Sequence, residues 1–341
     1  MKKVALVFMP LLILLASCQS GAVEVETDLN NNNEIQERNF VSAHVVPEGH
    51  VWHQALLKLE EGADERTDGK WTFDFYPQGS LGPQNDMYQQ LQVGSIDLAV
   101  LVGPELNSHS EAFASWAMPF ILRDHEDAFK MGATEEAHQL FDTLDGVAGQ
   151  GYFFAGMRHV LSSETSLSSI EEFNGLSLRI SPSPAITDFW QQAGAGPTPV
   201  PAADLYSSFQ TGVVDAIDID LDLMMNNGYY DIGDYFTPLN HMSWAAPVLL
   251  NEQVYESFTN KEKEIFSESL EEAIEHNKQL AMEREVQQMI DFEEQGGTIV
   301  EIEDLDEFHN VAENIHEQYS EDHEYIADFI EKAKEISEYD N

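Results

Sequence analysis

Strand-like and helix-like patterns alternate twice along this chain, and that alternation restricts the fold more than any other feature. Trp71, Phe73 and Phe75 alternate with Thr72, Asp74 and Tyr76, the period of a half-buried strand. The turn-rich GSLGPQND (79–86) follows, then a helix carrying Leu91, then the apolar strand IDLAVLVG (96–103). Further on, LSLRI (176–180) reads as a strand. ITDFWQQAG (186–194) and AADLYSSFQTG (202–212) read as helices ending at Gly194 and Gly212, and VVDAIDID (213–220) returns as a strand. Such alternation predicts an α/β fold with a largely parallel sheet. After Pro247 the pattern turns mostly helical. Thr259 and Glu262 make a capping box, Phe266, Leu270, Ala273 and Ile274 form an apolar stripe, and the helix runs to about Ile290 before Gly296 and Gly297 stop it. A helix of that length suits one laid across two lobes.

The first residues point to a compartment. Lys2 and Lys3 precede an apolar run from Val4 to Ala16, too short for a membrane span of roughly 20 residues. It ends in LASC, with the single cysteine of the chain at position 18. Residues 1–17 are therefore expected to be a lipoprotein signal peptide, and Cys18 the site of lipid attachment. Residues 18–38, with the run Asn30 to Asn33, read as a flexible tether. One cysteine allows no intramolecular disulfide, so the core must hold the fold. The chain carries 62 acidic against 16 basic residues, a net charge of −46, which excludes nucleic acid as a partner. The acids are spread throughout, as a solvated surface suited to a salty or alkaline medium.

A search for catalytic patterns finds no nucleophile elbow, phosphate loop, dinucleotide fingerprint or HExxH pair. His44, His50 and His53 are the closest histidine group, and His50 and His53 share a helical spacing without further ligands. The expectation is a protein that is not an enzyme, with no cofactor and no metal.

The same segments, in order, resemble the solute-binding proteins of tripartite ATP-independent periplasmic (TRAP) transporters, the DctP-like family. FDFYPQGSLGPQNDMYQQLQVGSIDLAV (73–100) resembles its strand, Gly-x-Leu-Gly turn, helix and strand. ASWAMPFILRD (114–124) is similar to its Pro-Phe segment, and GMRHVLSS (156–163) and FNGLSLRISPSP (173–184) to its two arginine-bearing segments. AADLYSSFQTGVVDAID (202–218) resembles its most recognisable stretch. In LSLRI the apolar Leu176, Leu178 and Ile180 face one way, so Arg179 faces the other. A guanidinium can grip a carboxylate through two parallel hydrogen bonds, and the resemblance implies that role for Arg179, with Arg158 beside it. Where many family members place an asparagine this chain has Ile219, flanked by Asp218 and Asp220 with Asp222 beyond. In a strand the three aspartates share a face; if a helix begins at Asp220, that residue is an N-cap. Asn85 and His50 complete the candidate ligand contacts.

The resemblance implies a two-lobed periplasmic-binding-protein-like fold with a cleft between the lobes. Lobe one is expected at 39–155 plus 245–285, and lobe two at 156–244 plus 286–341. Its function would be to capture a small organic acid or related polar solute for ion-gradient-driven uptake through the small and large TRAP membrane subunits. The other reading is a ligand-sensing lipoprotein that presents its closed form to a membrane sensor kinase.

Overall fold

In the computed structural model, which describes residues 34–337, ten strands form one sheet: β1 (Arg38–His44), β2 (Trp71–Tyr76), β3 (Leu98–Val100), β4 (Val147–Ser162), β5 (Ser177–Ile180), β6 (Gly196–Pro199), β7 (Ala216–Asp220), β8 (Tyr235–Thr237), β9 (Ser243–Asn251) and β10 (Thr298–Ile299). Their order is β2-β1-β3-β9-β4-β7-β5-β6, with β8 also beside β4 and β10 beside β8. The predicted signal peptide and Cys18 lie outside the described residues, as does the tether up to residue 33. Its last residues are docked: the Gln36 amide donates to Glu262 Oε1 at 3.0 Å and Arg38 Nε to the same oxygen at 3.2 Å.

The sheet is mixed, not largely parallel. β1 pairs in parallel with β2 and β3, β5 with β6 and β7, and β8 with β10. Every pairing of β4 and β9 is antiparallel. These two long strands are the departure from a simple alternation. Pro247 does not end the strand pattern either; it sits inside β9 opposite Tyr152. A proline lacks the ladder N–H, and here it lies next to the register shift between Gly149 and Gly151. Its carbonyl still accepts from the Leu101 amide at 3.2 Å.

The buried apolar residues form one continuous core that runs through both lobes. In the first, Phe40 stacks on Phe73 at 4.8 Å and meets Trp71 edge-on at 5.3 Å; Trp71 and Phe73 are the inward residues of the predicted alternation, with Thr72 and Asp74 outward. In the second, Phe173 stacks on Trp190 at 5.2 Å. Within β4 the register against β9 shifts between Phe154 and Met157. Gly156 stands in that bulge at φ +136, a conformation side-chain-bearing residues avoid. A Cβ there would also come within 3.0 Å of His125 Nε2.

The capping box at Thr259 and Glu262 opens a helix of 35 residues, Asn260–Glu294. At about 1.5 Å per residue it is roughly 50 Å long. It packs on the helix Val51–Thr67 in the first lobe and on the helix Leu221–Asn226 in the second. Between them, Asn277 brackets the crossing strand: its Oδ1 accepts from the Phe154 amide at 2.8 Å, and its Nδ2 donates to the Phe154 carbonyl at 3.0 Å. Among the described residues no helix is long and apolar enough to cross a membrane.

Candidate ligand-binding site

The antiparallel register of β4 against β7 decides how the predicted residues meet. Arg158 lies opposite Asp220 and Val160 opposite Asp218, which puts the Arg158 side chain between the two acids. Its Nε donates to Asp218 Oδ1 at 2.6 Å and an Nη to Asp220 Oδ2 at 3.1 Å; the other Nη donates to the Asp218 carbonyl. The guanidinium also covers the Trp244 ring, 4.0 Å from its centroid.

Asp218 is filled on both oxygens. Its Oδ2 accepts from Trp190 Nε1 at 3.0 Å and from His241 Nε2 at 3.0 Å. A carboxylate only accepts, so His241 carries its proton on Nε2. Burial alone would raise the Asp218 carboxyl, but Arg158, His241 and Trp190 together hold it well below the usual carboxylate range.

Asp220 ends β7 and caps the helix that follows, its Oδ1 accepting from the Leu223 amide at 2.8 Å. The three aspartates therefore do not form one open acidic face. His50 is likewise an N-cap, of the helix Val51–Thr67: its Nδ1 accepts from the Trp52 amide at 3.2 Å. Its Nε2 points to Asp220 Oδ1 at 3.5 Å and Asp222 Oδ2 at 3.9 Å, contacts longer than good hydrogen bonds. Burial opposes ionisation of Asp220, and His50 with Arg158 reverses that and keeps its carboxyl low.

Asp222 joins the lobes. Its Oδ2 accepts from the Val51 amide at 2.8 Å, while Oδ1 accepts from Gln288 at 2.6 Å and Arg284 at 3.2 Å on the long helix.

Arg179 differs from Arg158. It is 2% exposed on β5, between β6 and β7. Its Nε and one Nη donate to the Val200 carbonyl at 2.9 and 2.7 Å, and the other Nη to the Asp218 carbonyl at 3.3 Å. Among the described residues no carboxylate lies within ion-pair distance of it. Burial, with Arg158 nearby, pushes its guanidinium down to about 10, still protonated at neutral pH.

Between the lobes lies a cavity of about 340 Å³, lined from the first by Gln78, Asn85 and Glu105 and from the second by Pro182, Pro201 and Asp204. Arg179 is not on its wall, but its partner Val200 adjoins Pro201 and the nearby Ser181 adjoins Pro182 in the chain. Asn85 lines this cavity and bonds to neither arginine, its Oδ1 accepting from Ser108 Oγ at 3.1 Å. Glu105 crosses the cleft: its Oε1 accepts from Ser181 Oγ at 2.5 Å. Burial pushes its carboxyl up, against the pull of Ser181, Arg179 and Arg158.

The structure thus gathers Arg158, Arg179, Asp218, Asp220 and His50 into one cluster and leaves Asn85 on the cavity wall. Sequence reasoning missed Glu105, Trp190, His241 and Trp244. Glu105 had a signal: it follows an apolar strand at its C-terminal end, where open α/β sheets bind ligands. Among the described residues no group of His, Cys, Asp and Glu is arranged to hold a metal.

Comparison with known proteins gives three findings. The profile of bacterial extracellular solute-binding proteins, family 7 (DctP), matches residues 42–322. A solute-binding protein of Roseobacter denitrificans is 24% identical over 271 residues, 79% of this chain and 83% of the relative. Two crystal structures share the fold, both TRAP periplasmic solute-binding proteins at TM-score 0.82 and 19% identity. One, from Chromohalobacter salexigens with bound D-glucuronate, is matched over 99% of its length and 87% of this chain. The other, from Shewanella oneidensis with bound succinate, is matched over 99% and 88%.

Proposed function

Since the chain belongs to the DctP family of bacterial extracellular solute-binding proteins, family 7, the solute-capturing components of TRAP transporters, we propose that it takes up a small organic acid between its lobes by pairing the ligand carboxylate with Arg179. One observation carries this reading. Arg158 is ion-paired with both Asp218 and Asp220, whereas Arg179 is equally buried and hydrogen-bonds only to carbonyls. A buried guanidinium that feels Glu105 and Asp218 only at a distance and touches no carboxylate is costly, and a ligand carboxylate entering from the cavity would supply that contact. The relatives crystallised with D-glucuronate and succinate are consistent with an acid as cargo.

On this reading the protein is a binding component and not an enzyme. Held to the outer face of the membrane by lipid on Cys18, it closes on its ligand and presents it to the small and large membrane subunits. The lobe limits 39–155 with 245–285 and 156–244 with 286–341 are part of the proposal. The bulge at Gly156 in β4, next to the proposed limit between residues 155 and 156, supports them.

A thermal-shift screen over monocarboxylates, sugar acids, neutral sugars and amines tests the class of ligand. A ligand bound only by the native state at a hundredfold excess over Kd adds about 2.7 kcal/mol of stability. The expected result is stabilisation by acids and none by their neutral counterparts. Stabilisation by neutral sugars alone would contradict it.

A further inference from the structure

Resting on the assignment of the ligand carboxylate to Arg179, we propose that Glu105 is a specificity-determining residue of the cleft, selecting acids that carry a hydrogen-bond donor, a hydroxyl or an ammonium, beside the carboxylate.

Position is the first observation. Glu105 lies in the turn Gly103–Ser108 that follows β3, lines the cavity, and reaches across to the second lobe. The Ser181 hydroxyl occupies one of its oxygens, which leaves the other to face a ligand. An ionised carboxylate offers only acceptors, so its complement on the ligand is a donor.

Charge is the second. Arg158 is matched by Asp218 and Asp220, so the cation left for a ligand carboxylate is Arg179, and Glu105 on the cavity wall is close enough for the two charges to act on each other. The cavity wall adds no cation: its charged residues are Glu105 and Asp204, both acids. A plain carboxylate seated on Arg179 approaches Glu105 with like charge, and a second carboxylate finds no basic group at all. A hydroxyl or ammonium turns the same approach into a charge-assisted hydrogen bond.

Glu105 also touches Ser181 across the cleft, and a residue that only latched the lobes together would change the affinity of every ligand by the same factor. Selectivity separates the two roles. Calorimetry on the full chain compares butyrate, 2-hydroxybutyrate, 2-aminobutyrate, succinate and D-glucuronate, in wild type, Glu105→Gln, Ser181→Ala and Arg179→Ala, each checked for an unchanged melting transition. Wild type is expected to hold the better of the hydroxy and amino acids at least tenfold more tightly than butyrate, and succinate no better than butyrate. The preferred arm identifies the donor. In Glu105→Gln that gap falls below threefold and succinate improves, while Ser181→Ala shifts all the acids alike. An unchanged gap in Glu105→Gln overturns the role of Glu105, even where Arg179→Ala has abolished binding of every acid. Acids that bind Arg179→Ala as well as wild type overturn the assignment of Arg179 instead.

Discussion

Arg158 Nε stands 2.6 Å from Asp218 Oδ1, and neither side chain is more than 2% exposed. The remaining oxygen of Asp218 is held by Trp190 and His241, so both oxygens have protein partners and the acid is a structural partner of Arg158. Asp218→Asn should keep the shape and remove the charge, leaving Arg158 only Asp220. Breaking one side of a buried pair costs about 3–5 kcal/mol, and urea unfolding should show a loss of that size. A loss under about 1 kcal/mol would mean that the pair is dispensable.

Local patterns carried much of the fold and little of this pairing. Trp71 and Phe73 alternate in the sequence as they do in β2, and the capping box is formed in both directions, with Thr259 Oγ1 accepting from the Glu262 amide at 3.2 Å and Glu262 Oε2 from the Thr259 amide at 2.8 Å. Arg158 and Asp218 are 60 positions apart, and only the register of β4 on β7 decides which acid the guanidinium meets. The strand read over 96–103 is confined to Leu98–Val100, because the chain turns at Gly103 and Pro104; that turn is what aims Glu105 into the cleft. Pro247 hid β9, since proline in a central strand is tolerated only beside an irregularity such as the one at Gly149 and Gly151.

Stability should fall as the pH drops from 7.5 toward 5. Burial holds His44 at about 3, helped by His53 and His50. It holds His159 at about 3 despite Glu285, and His316 at about 4 despite its hydrogen bond to the Pro119 carbonyl. These folded values lie below the unfolded imidazole value of about 6.5, so the unfolded chain binds more protons below pH 7. Their contribution is fully present above pH 7 and is lost as pH falls toward 4. Three such groups approach a slope of about 4 kcal/mol per pH unit below pH 6. Urea midpoints at pH 7.5, 6.5 and 5.5 should decline in that order; a midpoint that rises on acidification would contradict the burial of neutral imidazoles.

Cys18 lies outside the described residues, and its role is tested in cells. Cys18→Ala should accumulate as an unprocessed precursor that takes up no labelled lipid. A variant that is still acylated and membrane-bound rules out this anchor.

Arg179 is the residue proposed to hold the carboxylate of the ligand. Its side chain meets only carbonyls of the protein, so Arg179→Ala should melt within a few degrees of wild type while losing its ligand. The measurement is isothermal titration of wild type, Arg179→Ala and Arg179→Lys with the acid that stabilises the wild type most. The expected result is a loss of more than about a hundredfold, roughly 3 kcal/mol, in Arg179→Ala, with Arg179→Lys also weak because a point charge cannot reproduce the guanidinium fork. Unchanged affinity in Arg179→Ala would show that the ligand carboxylate is held elsewhere.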